Sequence, residues 1–400
     1  MELGWIHFNR DDRNRVFNAL KALEENYALD ELGIGKIRDY FSNEFFPGIT
    51  TNQTRAHYYI FLSNMFEDAL KNNFSSTEEP HSTEELQNWL DKQQDSLVKI
   101  LHEKYPNNWS GKGIIGILNK VQNKPINPKP LIIYWSGLYK YRIILDESSF
   151  YQNVLDYIDQ KKAIDKQKKS IHKKDGDYEP DEILERDSFF PETGCWTKNW
   201  ESQIDMETLS KNEANFLYNR ITKSCQNSLL TLILKYYKNH PSEIDLREKY
   251  TFNDLSEISP NIINHNPEIK KTYDWALQFR NFYYGCQLAY AYLVTKDEAD
   301  KKNYLDWLNN KQEWTNVPLD DILGSSGADE STKQFLKNAR EYALHNNQKA
   351  LEELIRQREK TLKGVRAKIG KENKYKPSSK LDYRANAARR IIQDILKGLK

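Results

Sequence analysis

Basic residues near the C-terminus are the side chains whose type and spacing point most directly to a chemistry. Residues 356–400 carry a net charge of +11, which leaves the rest of the chain at −10. Lys and Arg bind phosphate groups and release the counterions condensed on nucleic acid. The asymmetry therefore predicts a nucleic-acid interface. We expect phosphate contacts from Lys360, Lys363, Arg366, Lys368, Arg384, Arg389 and Arg390. The alternative is that the basic segment docks on the acidic remainder of the chain or on an acidic partner.

A second candidate for nucleic-acid contact is the polar run from Thr50 to Arg55, which follows a break in the chain at residues 46–48. In a helix-turn-helix protein, the first residues of the second helix reach the base edges. A helix predicted over residues 51–72 would place Arg55 there, so Arg55 joins the predicted nucleic-acid-binding residues. Bulky aromatic neighbours favour a purely structural helical hairpin as the alternative.

Catalytic and cofactor motifs are absent from the sequence. Gly111 and Lys112 lack the spacing of a phosphate-binding P-loop. His172 and Lys174 match the start of a phospholipase-D-type nuclease motif, but Glu179 occupies the position of the required Asp. The sequence therefore predicts no catalytic residue, no metal ligand and no cofactor. Carboxylates from distant segments could still hold a divalent cation, so a metal-dependent nuclease is the enzymatic alternative.

The elements that must position these side chains are helices. Sixteen Gly and thirteen Pro in 400 residues are too few for a turn-dense all-β protein. Apolar spacing and capping residues predict helices over residues 10–24, 30–45, 51–72, 82–102, 132–141, 149–164, 209–239 and 273–294. One further amphipathic helix is predicted from the spacing of Leu351, Ile355, Arg358, Leu362, Val365 and Ile369. The expected fold class is mainly α and multi-helical.

An aromatic surface is predicted on the helix over residues 132–141. Trp135, Tyr139 and Arg142 are spaced by four and three residues, which places them on one helix face. We expect a packed ledge of aromatic rings with Arg142 at its edge, and a core role for Trp135. A surface that stacks bases or contacts a partner is the alternative.

The chain is expected to form two helical domains. Residues 161–177 are rich in Lys and almost lack apolar side chains, which is typical of a solvated linker. The predicted division is an N-terminal domain over residues 1–160, a Lys-rich linker over residues 161–185 and a C-terminal domain with the basic end over residues 186–400.

Composition limits the environment in which the protein works. The whole chain has a net charge of +1, so it has no global field that attracts nucleic acid or membrane. The N-terminus does not resemble a signal peptide, and the most apolar stretch, residues 273–294, contains polar side chains that a bilayer centre disfavours. Three dispersed cysteines fit a reducing compartment and are expected to be buried thiols. We therefore predict a cytoplasmic protein without membrane contact.

Several sequence blocks resemble a bacterial protein family of unknown function. They are ELGWIHF, then DELGIGKIRDYFSNEFFPGITTNQTRAHYY, then IYWSGLYKY, and finally REKTLKGVRAKIG with KLDYRANAARRIIQDI. In the family pattern a Trp tends to follow the LDYR step, where this sequence has Ala385. The resemblance implies a component of bacterial antiviral defence loci, encoded beside helicases, phospholipase-D-like nucleases and DNA methyltransferases.

Residues and resemblance together predict an accessory subunit of an antiviral defence system. We expect it to bind nucleic acid, with DNA as the expected form, or to bind a helicase or nuclease partner subunit. The metal-dependent nuclease and a pure protein scaffold remain the alternatives.

Overall fold

Helices form the regular secondary structure of the described part of the chain. The computed structural model describes residues 31–70, 82–106, 109, 111–143, 196, 199–243, 252–255, 260–371 and 380–400. Within these ranges there are fourteen α-helices and no strand, which confirms the predicted mainly α, multi-helical fold. The helices are α1 (Gly35–Phe45), α2 (His57–Leu70), α3 (Thr83–Lys104), α4 (Ile117–Val121), α5 (Pro130–Lys140), α6 (Lys211–Ser224), α7 (Leu229–Asn239), α8 (Pro260–Ile263), α9 (Pro267–Thr295), α10 (Glu298–Asn309), α11 (Leu319–Ser325), α12 (Glu330–Leu344), α13 (Gln348–Lys363) and α14 (Ala385–Leu399).

Helix starts follow the capping chemistry that the sequence predicts. The hydroxyl of Ser82 accepts the Glu85 N–H at the start of α3. At α6, Ser210 and Glu213 form a reciprocal capping box. Each cap satisfies backbone donors that a helix start leaves without an intrahelical acceptor. These local bonds explain why the predicted starts are accurate.

The helix predicted over residues 209–239 is wrong as a single element. It is divided into α6 and α7 at residues 225–228. Ser228 causes the division, because its hydroxyl donates to the Cys225 carbonyl and also accepts the Thr231 N–H at the start of α7. Such local bonds between a side chain and the backbone compete with a continuous helix.

Helix α9 is the central element against which several others pack. It contacts α1, α8, α10 and α13. Pro267 at its first turn starts it six residues before the predicted position, because proline is tolerated where no intrahelical N–H bond is needed. Gly285 allows α10 to approach closely, since a Cβ at this position would lie 1.8 Å from the Trp307 ring.

The buried face of α5 differs from the predicted aromatic ledge. Tyr134 and Tyr141 are fully buried, whereas Trp135 is partly buried and Tyr139 and Arg142 are exposed. Burial of the two tyrosines is possible because their hydroxyls find backbone partners. The Tyr134 hydroxyl accepts N–H groups from residues 54 and 55, and the Tyr141 hydroxyl donates to the carbonyl of residue 47. The prediction placed the core face one residue away from its actual position.

Residues on both sides of the predicted linker share one hydrophobic core. Helix α1 packs against α7, α9 and α11. The carboxylate of Asp68 on α2 accepts the indole N–H groups of Trp196 and Trp200, at 2.6 and 2.7 Å. The linker itself, residues 161–185, lies outside the described residues, so the division into domains stays a prediction. The shared core indicates that the two parts are held together.

Limited trypsin digestion should test this arrangement. We expect cleavage first within residues 161–177. The Lys run offers many cleavage sites, and it has few apolar side chains whose burial could offset the entropy cost of ordering the segment. The two fragments should separate on a denaturing gel but elute together from a sizing column in native buffer, since the core joins them. Separate elution of stable fragments would show two independent folding units, and first cleavage elsewhere would reject the linker.

Several predicted features lie outside the described residues. They are the helices over residues 10–24 and 149–164, the nuclease-like residues His172, Lys174 and Glu179, and Cys195. Among the described helices, none combines the length and apolarity that a membrane span requires.

Candidate nucleic-acid interface

The basic loop, which we define as residues 360–371, contains five cations and no acidic residue. It includes the last turn of α13 and the short 3₁₀ turn Gly364–Arg366. Helix α13 ends there because Gly364 adopts φ +53° and ψ −120°, a conformation that glycine tolerates and other residues disfavour. The amphipathic helix predicted to continue to Ile369 is therefore shorter than expected.

A buried carboxylate holds the base of the basic loop. Glu359 is 1% exposed. It accepts the N–H groups of Lys368 and Ile369 at 2.7 and 3.0 Å and the hydroxyl of Tyr290 at 2.6 Å. These bonds fold the chain after α13 back onto α9, so residues 360–367 project as a loop closed at its base.

Lys363 and Lys368 form ion pairs within the protein. Lys363 is 7% exposed and forms an ion pair with Glu31, with Glu359 3.8 Å away. Lys368 pairs with Glu31 at 3.2 Å. For these two side chains, the structure favours the alternative that the basic segment docks on the acidic body.

Lys360 and Arg366 lie on the outer side of the basic loop. Both are exposed, and neither forms an ion pair or a side-chain hydrogen bond with a residue in the described ranges. Two apolar side chains accompany them, since Val365 is 92% exposed and Leu362 is 41% exposed. The loop thus presents two free cations around an exposed apolar tip.

The predicted cations near the C-terminal helix are also engaged within the protein. Arg384 donates to Asp39 of α1 at 2.8 Å and to Asn43 at 3.1 Å. Arg389 is buried and bonds residues 386 and 393 of its own helix. Arg390 reaches the carbonyl of residue 53 at 3.4 Å. These three arginines therefore have hydrogen-bond partners within the protein, unlike Lys360 and Arg366 of the basic loop.

Arg55 belongs to a buried cluster that joins the N-terminal and C-terminal parts of the chain. Its guanidinium forms a bidentate pair with Asp394 of α14, with N···O distances of 2.9 to 3.1 Å, although the two residues are 339 positions apart. The same carboxylate accepts the Ala56 N–H at 2.8 Å, and His57 Nδ1 lies 3.4 Å from it. His57 is 2% exposed. We call Arg55, His57 and Asp394 the buried triad.

The buried triad corrects the helix-turn-helix interpretation. Helix α2 begins at His57, so residues 50–55 form a turn and not the start of a recognition helix. The Gln53 amide donates to the carbonyls of residues 48 and 133, and the Thr54 hydroxyl donates to the carbonyl of residue 113. These polar side chains are used to pack the turn. Sequence inspection missed His57 and Asp394 because their partners are distant in the chain.

The described cysteines are unreactive thiols. Cys225 and Cys286 are free and buried. Burial raises the pKa of the Cys225 thiol to about 11 and that of Cys286 to about 12, so neither is a thiolate near neutral pH. In the described ranges, no three His, Cys, Asp or Glu residues are grouped so that they could hold a metal ion.

Comparison with known proteins places the N-terminal part of the chain near an uncharacterised family. The model of DUF6361, a family of unknown function, matches residues 1–155. The matched region contains Arg55 and His57 of the buried triad but not Asp394 or the basic loop. No curated protein and no protein of solved structure matches the chain.

Proposed function

We propose that this protein is an accessory subunit of a bacterial antiviral defence system that binds a nucleic-acid backbone, with DNA as the expected form, through the basic loop. The observation that carries the proposal is the outward exposure of Lys360 and Arg366 on a loop whose base is closed by Glu359. Phosphate binding needs cations that are not neutralised by neighbouring acids. The defence context rests on the sequence blocks that resemble the uncharacterised family.

The closed base of the loop favours binding. A loop that is already ordered loses less conformational entropy when it contacts a ligand. Glu359 and Lys363 supply that order from the buried side, while Lys360 and Arg366 remain available on the other. The basic segment thus combines both predicted roles, docking on the body and contacting phosphate, in different side chains.

The exposed apolar tip supports a second candidate function, contact with a helicase or nuclease subunit. Val365 and Leu362 are unusually exposed for branched aliphatic side chains. Exposed apolar side chains next to cations occur at protein interfaces as well as at nucleic acid. Val365→Ser should weaken such a protein complex while leaving the salt dependence of DNA binding unchanged.

Reversal of the two free charges tests the proposed function. Lys360→Glu combined with Arg366→Glu should weaken binding of a DNA duplex and flatten the log–log salt slope by about 2, because each phosphate contact contributes about 0.9. The measurement is fluorescence anisotropy of a labelled duplex over a series of salt concentrations. Melting temperature should stay close to wild type, since both side chains are exposed and neither is paired with a residue that the structure describes.

A charge-matched variant provides the control. Lys235→Glu combined with Lys302→Glu changes the net charge equally, and both lysines are exposed on other helices. Equal salt slopes for the two double variants would reject the basic loop as the phosphate contact. Incubation of wild type with plasmid and Mg²⁺ or Mn²⁺ tests the nuclease alternative, which metal-dependent cleavage would support.

A further inference from the structure

A surface groove lies at the N-terminal end of α9, apart from the basic loop. It is a shallow depression, largely open to solvent, with a volume of about 630 Å³. The lining residues are Asn264, Pro267, Lys270, Lys271, Asp274, Trp275, Gln278, Asn316 and Pro318. Trp275 and Tyr290, which contacts the base of the basic loop, are separated by about 22 Å along the helix axis at 1.5 Å per residue. The groove is therefore a distinct surface.

Trp275 lines the groove and is partly buried. Part of its side chain packs on the hydrophobic core. Lys271 Nζ lies 4.6 Å from the ring centroid, so a flexible, exposed lysine covers the indole. A flat aromatic ligand can displace this ammonium and stack on the indole. The displaced ammonium would stay within reach of an anionic group on the same ligand.

The charge of the groove favours an anion. Lys270 pairs with Asp274 at 2.6 Å, and both side chains are partly exposed. Lys271 is not paired with a carboxylate of any residue that the structure describes, so it adds a positive charge to the groove. A ligand that carries both an aromatic ring and a phosphate would use the indole and Lys271 together.

Gln278 supplies an acceptor that lacks a donor. It lies three residues after Trp275 on the same face of α9 and lines the groove. Its Oε1 is buried and accepts no hydrogen bond from the described part of the chain. A buried acceptor without a donor costs free energy. The exposed amides of Asn264 and Asn316 add further donors and acceptors at the rim.

We propose that this groove binds one nucleotide of a single-stranded nucleic acid. The base stacks on Trp275 in place of the Lys271 ammonium, a base N–H donates to Gln278 Oε1 after this side chain rotates toward the groove, and Lys271, which is not paired with a carboxylate as Lys270 is with Asp274, contacts the phosphate. A stacked base must be unpaired, so the site distinguishes a single strand from a duplex. This assignment goes beyond the backbone contact proposed for the basic loop and uses none of its residues.

Binding of a labelled ten-nucleotide single strand and of the corresponding duplex tests the proposal with the full chain. Trp275→Ala should weaken single-strand affinity about 10-fold, in the range of one base–aromatic stack, and leave duplex affinity unchanged. Trp275→Phe should restore most of the affinity. Lys271→Glu should weaken single-strand binding and reduce its salt dependence, whereas the matched surface change Lys302→Glu should not.

The outcomes separate this proposal from the proposed function. Loss confined to the single strand supports the groove, and loss on duplex from Lys360→Glu with Arg366→Glu supports the basic loop independently. The groove proposal is overturned if wild type does not bind the single strand. It is also overturned if Lys271→Glu and a natively folded Trp275→Ala both bind the single strand as tightly as wild type does. Equal losses on single strand and duplex, or retention of a neutral oligosaccharide that Trp275→Ala abolishes, would also overturn it. If Trp275→Ala fails to fold, the Lys271→Glu result decides.

Discussion

Asp394→Ala should lower the free energy of unfolding by about 3 to 5 kcal/mol, the cost of removing one partner from a buried ion pair. The carboxylate accepts from Nε and Nη2 of the Arg55 guanidinium and from the Ala56 N–H at the start of α2. Its loss leaves the Arg55 guanidinium, which is largely buried, without its counter-charge and with the Lys112 carbonyl as its remaining acceptor, and it leaves the Ala56 N–H without an acceptor. Because the buried triad joins α14 to the turn before α2, the whole fold should be destabilised.

The contribution of Asp394 should depend on pH. Burial raises the pKa of this carboxyl, but the neighbouring His57 and Arg55 outweigh that effect, and its pKa lies below the usual 3.8. A carboxyl whose pKa is lower in the folded than in the unfolded chain stabilises the fold above its unfolded pKa, and this stabilisation is lost as pH falls through the folded value. The stability difference between wild type and Asp394→Ala should therefore be present above about pH 4 and shrink below it.

Urea unfolding followed by tryptophan fluorescence measures both effects. Asp321→Ala is the matched control, because Asp321 is exposed on α11 and its removal should leave stability nearly unchanged. Equal unfolding free energies for wild type and Asp394→Ala at neutral pH would show that the buried triad does not stabilise the fold.

Lys363→Met should also destabilise the protein strongly, by about 3 to 5 kcal/mol, because it removes the buried counter-charge beside Glu359 and one of the two lysines that pair with Glu31. Glu359 also holds the base of the basic loop, so the loop should become more mobile. Thermal melting measures the stability loss, and hydrogen exchange of the amides of residues 368 and 369 measures the loosening of the loop. Faster exchange is expected because these N–H groups donate to Glu359.

Lys360→Met is the matched control, because it removes the same type of side chain from the same helix, α13. It removes an identical side chain three residues earlier, but from an exposed position without an internal partner. We expect Lys360→Met to reduce DNA binding with little change in melting temperature. We expect Lys363→Met to lower the melting temperature with little change in DNA binding. If Lys363→Met leaves both the melting temperature and the amide exchange rates unchanged, Lys363 does not stabilise the loop and a role in ligand contact is favoured.

The sequence by itself determined the fold class and many helix positions. Apolar spacing identified α9, and Ser82 and Ser210 marked the starts of α3 and α6. These features depend on interactions within about four residues, which a linear pattern contains. The resemblance to an uncharacterised family also agrees with the match over residues 1–155.

Local rules were less successful where two local preferences competed. Ser228 ended one helix and began another inside an apolar run that looked continuous. Residues 50–55 looked like a helix start but form a turn, because Gln53 and Thr54 bond to carbonyls that lie far away in the sequence. Tertiary contacts outweighed helix propensity, which differs among ordinary residues by only about 0.7 kcal/mol.

The tertiary structure alone decided which charged side chains are exposed and which are paired within the protein. Lys360 and Lys363 are equivalent in a composition or charge count, yet one is exposed and the other is buried against Glu31. Arg55 was predicted to contact nucleic acid, and the structure pairs it with Asp394, a residue far away in the sequence. The reason is physical: charge follows from residue type, but the partner that neutralises it is set by packing between distant segments.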